Sequence, residues 1–296
     1  MADSAASTDD VWTVQRILTW TTDFLKQKDV ESPRREAELL LAHARNCPRI
    51  RLYTDLETPL TDAERRRMRD YVKRRAQREP LAYITGHREF YGRDFAVGAG
   101  VLVPRPETET LVDVCLERIP QDTPSRICEV GFGSGCIAVT LARQRPQCSV
   151  VASDTSEVAL QFATQNVATH GVAAQVQLVS GDGLQAIRAT TGELFDGLVS
   201  NPPYVCVHEL SGLDPEVAVH EPREALVSGD DGLTLMRQII AEAPGMLRPG
   251  GWLAVELDPA QCETVQHLLA EAGFIDIRTR QDLSGSDRIV EAALPG

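Results

Sequence analysis

The fold of this chain is decided by the stretch Ile127-Cys128-Glu129-Val130-Gly131-Phe132-Gly133-Ser134-Gly135. It begins with a short apolar run, passes through three glycines at alternate positions, and leads into residues 136–144, which have helical periodicity. Glycines between a strand and a helix let the backbone turn sharply and let a ligand approach the main chain. The spacing G-x-G-x-G differs from the dinucleotide pattern G-x-G-x-x-G, and no Lys-Ser/Thr pair follows as in a P-loop. The stretch therefore predicts a strand, a ligand-binding turn and a helix.

Short apolar runs alternate with helical stretches on both sides of this turn. The predicted strands are 127–130, 149–153, 175–179, 197–200, 252–256 and 289–292, and the predicted helices are 107–118, 136–144, 156–169, 232–247 and 260–272. Such alternation is typical of a mostly parallel sheet that is covered by helices on both faces. The predicted fold class of this part of the chain is therefore α/β.

The first part of the chain, residues 10–85, has helical periodicity throughout. Ser32-Pro33 is expected to open one helix, with Ser32 as its N-cap and Pro33 in the first helical position. Thr61-x-x-Glu64 has the sequence of a capping box and predicts the start of another helix. Residues 89–103 alternate and contain three glycines, which predicts a β-hairpin. We therefore expect a helical domain at 1–87, a hairpin linker at 88–104 and a catalytic α/β domain at 105–296.

Charge is distributed unevenly along the 296 residues, whose net charge is −13. Residues 1–88 carry a net +3 and residues 89–296 a net −16. An acidic body argues against a broad contact with duplex nucleic acid, which needs a basic face. Eight Lys and Arg residues lie within 65–78. This cluster is interpreted either as the solvated face of a helix or as a docking surface for an anionic partner.

The composition places the chain among cytoplasmic proteins by default. No run of about 18 apolar residues is present, and residues 1–10 lack the basic and apolar regions of a signal peptide. Seven scattered cysteines form no C-x-x-C pair. We therefore expect reduced thiols, no disulfide framework and no metal site.

Two acidic residues follow neighbouring predicted strands. Asp154 comes directly after 149–153, and Asp182-Gly183 comes shortly after 175–179. A carboxylate after the second strand can accept hydrogen bonds from both hydroxyls of a ribose, and a group after the third can bind an adenine edge. Asp154 alone could also be an ordinary turn residue. Because the glycine turn, Asp154 and Asp182 end three successive strands, the pattern predicts a nucleoside-containing ligand at this edge of the sheet.

The motif Asn201-Pro202-Pro203-Tyr204 follows the fourth predicted strand directly. Proline cannot continue a central strand, so the chain must leave the sheet here as a stiff, extended segment. The Asn201 Oδ1 atom and the Pro202 carbonyl can accept both N–H groups of a planar NH2, while Tyr204 lies against its face. Such positioning aims a weakly nucleophilic nitrogen without removing a proton from it. The motif therefore predicts methyl transfer to a planar amide or amino nitrogen.

Together these motifs resemble the release-factor glutamine methyltransferases of the HemK/PrmC type. The resemblance is carried by Asn201 to Tyr204, by the G-x-G-x-G turn, and by Leu102-Val-Pro-Arg-Pro-Glu-Thr-Glu109. Further matches are residues 79–86, 88–92, 221–226 and 229–233, so the resemblance extends from about residue 10 to about residue 292. It implies a seven-stranded, Rossmann-like class I methyltransferase domain that uses S-adenosylmethionine. It also implies N5-methylation of the glutamine in the Gly-Gly-Gln motif of a peptide-chain release factor.

The resemblance also implies roles for individual residues and partners. It assigns cofactor binding to Gly131, Phe132, Gly133, Ser134, Gly135 and Asp154. With the positions at the strand ends, the expected cofactor-binding set also includes Asp182, Gly183 and Asn201. It assigns the catalytic and substrate-binding roles to Asn201, Pro202, Pro203 and Tyr204, with Phe90, Arg105 and Glu107 as further substrate-binding residues. The product would be S-adenosylhomocysteine, and the helical domain would dock the release factor. We expect a monomer with no membrane association and no stable binding of nucleic acid.

Three positions depart from the pattern of the family, and two other activities compete with the main interpretation. Glu129 stands where the family usually has Asp, Phe132 where it has a small polar residue, and Gly183 where some members have an aromatic residue. These changes concern contacts with the cofactor. The alternative activities are methylation of a ribosomal-protein glutamine and adenine-N6 methylation of nucleic acid. The acidic catalytic part and the low aromatic content of 5% argue against nucleic acid, and a non-catalytic binding module is disfavoured by the intact motif.

Overall fold

The computed structural model describes residues 11–296. It divides into two units, the first ending at Gly86 and the second running from His87 to Gly296. Among the described residues, no helix has both the length and the apolar character needed to cross a bilayer.

The first unit consists of helices around a small core of its own. They are α1 (Val14–Lys26), α2 (Pro33–Arg45), α3 (Arg51–Thr54), α4 (Asp62–Ala76) and α5 (Leu81–Thr85). Their apolar faces share a buried cluster that includes Leu18, Leu40, Leu41 and Met68. Burial of these faces is the main source of stability for helices of this length.

The capping box that the sequence predicts is present at the start of α4. The Thr61 hydroxyl accepts a hydrogen bond from the Glu64 backbone N–H (3.3 Å), and the Glu64 carboxylate accepts one from the Thr61 N–H (2.7 Å). Ser32 is the N-cap residue of α2 and Pro33 its first residue, as predicted, but the Ser32 side chain makes no capping hydrogen bond. Ser32 has a left-handed backbone with φ of 47°, whereas a capping side chain requires an extended one.

The second unit contains nine strands and seven α-helices. The strands are β1 (His87–Phe90), β2 (Arg93–Ala96), β3 (Ser125–Val130), β4 (Cys148–Asp154), β5 (Val176–Ser180), β6 (Phe195–Ser200), β7 (Leu247–Glu256), β8 (Ile275–Gln281) and β9 (Asp287–Ala293). The helices are α6 (Glu107–Arg118), α7 (Cys136–Gln144), α8 (Glu157–Thr169), α9 (Gly183–Thr190), α10 (Pro215–His220), α11 (Thr234–Glu242) and α12 (Cys262–Glu271).

Seven of these strands form one sheet in the order β5-β4-β3-β6-β7-β9-β8. The first five run parallel, and β9 is antiparallel to both of its neighbours. This arrangement confirms the predicted fold class, and six of the seven strands were predicted. Strand β8 was missed because its sequence, IDIRTRQ, contains two apolar residues and no apolar run like those of the other strands.

The predicted hairpin is formed by β1 and β2, and its hydrogen bonds join it to the second unit. The Asn166 side chain on α8 accepts from the Ala96 N–H (2.8 Å) and donates to the Ala96 carbonyl (3.0 Å). The His170 imidazole lies 2.9 Å from the Asp94 carbonyl oxygen. Because of these contacts, the hairpin belongs to the same compact unit as the sheet.

The parallel strands end together, and this brings the predicted functional segments to one edge. Val130 pairs with Ser153 on one side and with Ser200 on the other. Asp154 pairs with Ser180. The Ser200 hydroxyl also donates to the Val130 carbonyl across 2.7 Å, which ties the ends of β3 and β6 together. The residues that follow these strands therefore surround a common space.

Gly197 in β6 is packed closely against the neighbouring strand β7. A Cβ atom at this position would overlap the ring of Trp252 on β7. We therefore expect Gly197→Ala to lower the free energy of unfolding by about 1–3 kcal/mol, the usual effect of overpacking. Urea denaturation followed by circular dichroism measures it. Gly192→Ala is the matched control, since a Cβ there would meet open space, and equal stabilities of the two variants would contradict the packing argument.

Candidate active site

The turn after β3 has the backbone geometry that its glycines permit. Gly131, Gly133 and Gly135 have φ values of 78°, 51° and 78°, in the left-handed region that other residues rarely adopt. The Gly131 N–H donates to the Ser153 carbonyl (2.8 Å), which fixes the turn against the end of β4. At Gly135 a Cβ atom would lie only 3.2 Å from that of Ala163 on α8. The turn therefore needs glycine both for its conformation and for close packing.

A cavity of about 340 Å³ opens above this turn. Its lining includes five of the residues predicted to bind the cofactor together with the predicted acceptor residue Asn201, namely Gly131, Gly133, Asp154, Asp182, Gly183 and Asn201. Phe132, Ser134 and Gly135 do not line it, and the first two are buried side chains behind the turn. The structure thus assigns these three to the support of the turn. The cavity is of the size that binds small molecules in other proteins.

Asp154 at the end of β4 is held by two backbone N–H groups. One carboxylate oxygen accepts from Gly133 and the other from Ser156, each at 2.9 Å. Carboxylate oxygens have more than one lone pair each, so both can still accept hydrogen bonds from a ligand. The side chain lines the cavity and offers a fixed pair of acceptors there.

Glu129 lies directly before the turn and is fully buried. Neither of its carboxylate oxygens is hydrogen-bonded by a residue that the structure describes. Burial, and secondarily the charge of Asp154, raises the pKa of Glu129 to about 8, while the nearby Ala138 backbone N–H opposes this only in part. A buried carboxylate without a partner is costly. In the sequence, Glu129 was identified only as a departure from the Asp of the family, and its complete burial was not predicted.

A second cavity, of about 730 Å³, lies on the other side of the motif Asn201-Pro202-Pro203-Tyr204. All four motif residues line it, and Asn201 and Pro203 line the smaller cavity as well. Leu102 also lines both cavities, although sequence reasoning gave it no role. The motif thus forms part of the boundary between a turn-side cavity and a larger outer cavity.

Tyr204 is neutral in this environment. Burial raises the pKa of its hydroxyl to about 12, with a further contribution from the charge of Glu256. A phenol with such a pKa does not act as a general base near neutral pH. Tyr204 lines the outer cavity, and contact of its ring with a planar group remains a prediction.

The backbone of the motif Asn201–Tyr204 contacts two residues that follow it in the chain, Gly232 in the loop before α11 and Gln261. The Gln261 amide donates to the carbonyls of Tyr204 (2.9 Å) and Asp231 (3.0 Å). Gly232 approaches so closely that a Cβ atom there would overlap the Tyr204 carbonyl oxygen. These contacts join the end of the motif to the loop before α11. No sequence pattern had indicated a role for Gln261.

The three further residues that the sequence analysis assigned to substrate binding differ in position. Arg105 lines the outer cavity and forms an ion pair of 2.7 Å with the buried Glu221. Glu107 begins α6 and lines neither cavity. Phe90 is 1% exposed, and its ring packs against Phe95 with the centroids 6.0 Å apart. Phe90 has no surface for a substrate, and its assignment is corrected to a packing role in the hairpin.

One group of potential metal ligands lies beside the outer cavity. The ligand atoms of Cys206, His208 and Glu209 all lie within 4.8 Å of one another. The sequence had offered no Cys/His pair with ligand spacing, so this segment was not predicted. The Cys206 backbone N–H donates to the Glu209 carboxylate (3.2 Å), and slight burial, followed by the interaction of the thiol with that carboxylate, raises the pKa of Cys206. The methyl-transfer chemistry considered below does not use this group.

Comparisons with known proteins agree with the fold. The family model described as the PrmC N-terminal domain matches residues 16–86, and the methyltransferase small domain matches residues 108–230. A solved methyltransferase from Pyrococcus furiosus has 18% identity and a TM-score of 0.52, covering 70% of this chain and 91% of its own. This structural similarity concerns the fold alone, and it is the fold of a methyltransferase.

Two curated relatives match nearly the whole chain. The release factor glutamine methyltransferase of Geobacter sulfurreducens is 43% identical over 95% of this chain and 96% of its own length. That of Rhodopirellula baltica is 40% identical over 96% and 97%. The chain therefore belongs to the release factor glutamine methyltransferase family.

Glu129 is expected to make the stability of the protein depend on pH. With its pKa raised to about 8, the folded state retains a proton that the unfolded chain releases near pH 4.3. Stability from this group is therefore lost as pH rises from about 4.3 to 8. We expect Glu129→Gln to match the wild type near pH 5 and to exceed its free energy of unfolding increasingly toward pH 8.

Urea denaturation at pH 5, 6.5 and 8 measures this difference. The control is Glu271→Gln, which removes a carboxylate exposed on α12 and should follow the wild-type pH dependence. A Glu129→Gln variant with that same dependence would show that the buried carboxyl does not titrate in this range.

Proposed function

We propose that the protein transfers a methyl group from S-adenosylmethionine to the side-chain amide nitrogen, N5, of the glutamine in the Gly-Gly-Gln motif of a peptide-chain release factor. The observation that carries this proposal is the position of Asn201-Pro202-Pro203-Tyr204 beside two cavities, in a chain of this family. A methyl donor on one side and an amide on the other would then meet at Asn201.

The lining of the smaller cavity fits S-adenosylmethionine. The Asp154 carboxylate offers acceptors for ribose hydroxyls, and Asp182 and Gly183 line the same space. When bound, the cofactor supplies a methyl group activated by a positively charged sulfur.

The motif supplies the hydrogen-bond acceptors that an amide nitrogen requires. Its lone pair is delocalised into the neighbouring carbonyl, so the nitrogen is a poor nucleophile without orientation. We propose that Asn201 Oδ1 and the Pro202 carbonyl accept its two N–H groups, and that Tyr204 lies against the amide plane. These acceptors also stabilise positive charge as it develops on nitrogen. No base is needed before transfer, because the proton leaves readily once the nitrogen is positively charged.

The charge of the catalytic unit supports a protein acceptor over nucleic acid. Residues 89–296 carry a net charge of −16, which repels phosphates. The other glutamine-containing candidate, a ribosomal protein, is disfavoured by the segment Leu102–Glu109, which resembles the release-factor type. Release factor is therefore the acceptor we propose.

A labelling experiment tests the acceptor. Wild-type protein is incubated with S-adenosylmethionine carrying a radioactive methyl group and with release factor, ribosomal proteins or RNA in separate reactions. We expect label on the release factor, and its loss when the Gly-Gly-Gln glutamine is replaced by alanine. Label on RNA alone would contradict the proposal.

Replacing Asn201 tests the acceptor role of its side chain. Asn201→Ala removes Oδ1, so we expect methyl transfer to fall by roughly 100-fold or more. Cofactor affinity, measured by calorimetry, should stay within about tenfold, or 1.4 kcal/mol. Asp154→Ala is the matched comparison, since it should weaken cofactor binding first. An Asn201→Ala variant that lost cofactor binding instead would move Asn201 to the cofactor site.

We also propose that the first unit docks the release factor through α4. Several arginines of its basic cluster are neutralised within the unit, since Arg74 pairs with Glu79 (2.6 Å) and the buried Arg75 with Glu36. Arg66, Arg69 and Lys73 remain exposed. A groove of about 260 Å³, lined by Trp20, Arg65 and Arg69 among others, runs beside them. An exposed aromatic residue flanked by arginines suits an acidic protein surface.

Charge reversal on α4 tests this docking surface. We expect the double variant Arg69→Glu/Lys73→Glu to weaken binding of release factor by roughly tenfold or more at low salt, since complementary charges become repulsive. Fluorescence anisotropy with labelled release factor measures the affinity. The control, Lys26→Glu/Arg35→Glu, makes the same charge change at exposed positions on α1 and α2. Equal affinities of the two double variants would show that the basic cluster is only a solvated helix face and does not dock the release factor.

A further inference from the structure

A buried chain of polar side chains leads from Asn201 into the protein. The Asn201 Nδ2 atom donates to the Thr108 hydroxyl over 3.1 Å. The same hydroxyl lies close enough to the Glu256 carboxylate to lower the pKa of that group. Thr108 is 3% exposed and Glu256 is 1% exposed. The chain thus connects the end of β6, the first turn of α6 and the end of β7.

The direction of each hydrogen bond in this chain is set by its carboxylate end. Above pH 7, the approximate pKa of Glu256, the carboxylate is ionised and only accepts, so the single hydroxyl proton of Thr108 points to Glu256. Thr108 then has only lone pairs to offer Asn201, and it must receive an N–H. The Nδ2 atom of Asn201 is therefore turned toward Thr108, and Oδ1 is left for the cavities that Asn201 lines.

The opposite orientation of the Asn201 amide would be costly. With Oδ1 against Thr108, the hydroxyl would have to donate to Asn201 and would abandon the buried carboxylate. A buried polar group left without its partner costs about 1–3 kcal/mol, and more when charged. The other oxygen of Glu256, Oε2, already has no partner among the described residues. Thr108 is thus important for the satisfaction of this carboxylate.

The groups around Glu256 shift its pKa in opposite directions. Burial raises its pKa to about 7, and the Thr108 hydrogen bond opposes this. Arg288 and Arg105 favour the ionised form, whereas Glu107 disfavours it. The carboxylate and its two arginines therefore help to keep the chain in the direction described above.

We propose that Thr108 and Glu256 are positioning residues that hold the Oδ1 atom of Asn201 toward the methyl-accepting amide. The identity of that amide rests on the proposed function, whereas the orientation of Asn201 does not. Neither residue touches the substrate in this role. Thr108 lies in the segment Leu102–Glu109, which carries much of the family resemblance. The proposal therefore gives this residue a physical role.

Substitutions at Thr108 separate this role from a purely structural one. Thr108→Val keeps the shape of the side chain and removes the hydroxyl, while Thr108→Ser keeps the hydroxyl. We expect kcat of Thr108→Val to fall by roughly 100-fold through misplacement of the acceptor, with the KM for release factor little changed. Thr108→Ser should retain most of the wild-type kcat. Urea denaturation monitors the stability of both variants.

The isosteric change Glu256→Gln tests the direction of the chain. The new Nε2 can donate to Thr108, which frees the hydroxyl proton to point at Asn201 and permits the reversed orientation. We expect a clear fall in kcat with the cofactor affinity preserved. Wild-type kcat in both Glu256→Gln and Thr108→Val would overturn the proposal.

A spectroscopic measurement tests the orientation without substrate. The sequence contains three asparagines, Asn46, Asn166 and Asn201, so labelling with 15N-asparagine gives three side-chain NH2 pairs in a 15N–1H spectrum. Asn201→Ala identifies the pair of interest. Asn166, whose NH2 donates to the carbonyls of Ala96 and Ser134, is an internal reference.

We expect the Asn201 pair to show slow hydrogen exchange in the wild type and in Thr108→Ser. In Thr108→Val it should shift and exchange faster, while the Asn166 pair stays unchanged. An Asn201 pair that is identical in Thr108→Val and wild type would overturn the proposal, even if kcat had fallen. Because this readout needs no acceptor, it remains decisive if the release factor proves not to be the substrate.

Discussion

The whole site depends on the register of the parallel strands β3, β4 and β6. Val130 pairs with Ser153 and Ser200, so the three strands finish at one level. The glycine turn, Asp154 and Asn201 follow these ends within a few residues and meet although they are far apart in sequence. A shift of one residue in either pairing would send the side chains to the opposite face. The site therefore depends on the strand register, which brings the separate motifs together.

Two buried acidic side chains accompany this arrangement, and burial raises the pKa of both. The pKa of Glu129, directly before the glycine turn, rises to about 8, and that of Glu256, at the end of β7, to about 7. Neither oxygen of Glu129 has a hydrogen-bond partner among the described residues, whereas Thr108 and two arginines favour the ionised form of Glu256. Burying an acidic group costs stability. The ends of β3 and β7 therefore carry groups that folding alone would not favour, at the edge of the sheet where the site lies.

The sequence allowed the sheet, the turn and the acceptor motif to be predicted, because each has a local signal. Short apolar runs, alternate glycines and consecutive prolines are recognised without knowledge of distant contacts. The partnership of Asn201 with Thr108 was not predictable, since 93 residues separate them and only the fold brings them together. Phe90 was misassigned for a similar reason, because nothing local shows that its ring meets Phe95 inside the hairpin. Strand β8, with two apolar residues among its seven, lacked the apolar run that identified the other strands.

The contact between Gly232 and the Tyr204 carbonyl has a consequence for how such a site can change. The glycine loop touches the motif at its backbone, with no room for a side chain between them, and Gln261 links both segments. A displacement of either segment must therefore be accommodated by the other. Widening the outer cavity for a bulkier acceptor would therefore require coordinated changes in the motif, in the loop that contains Gly232 and at Gln261.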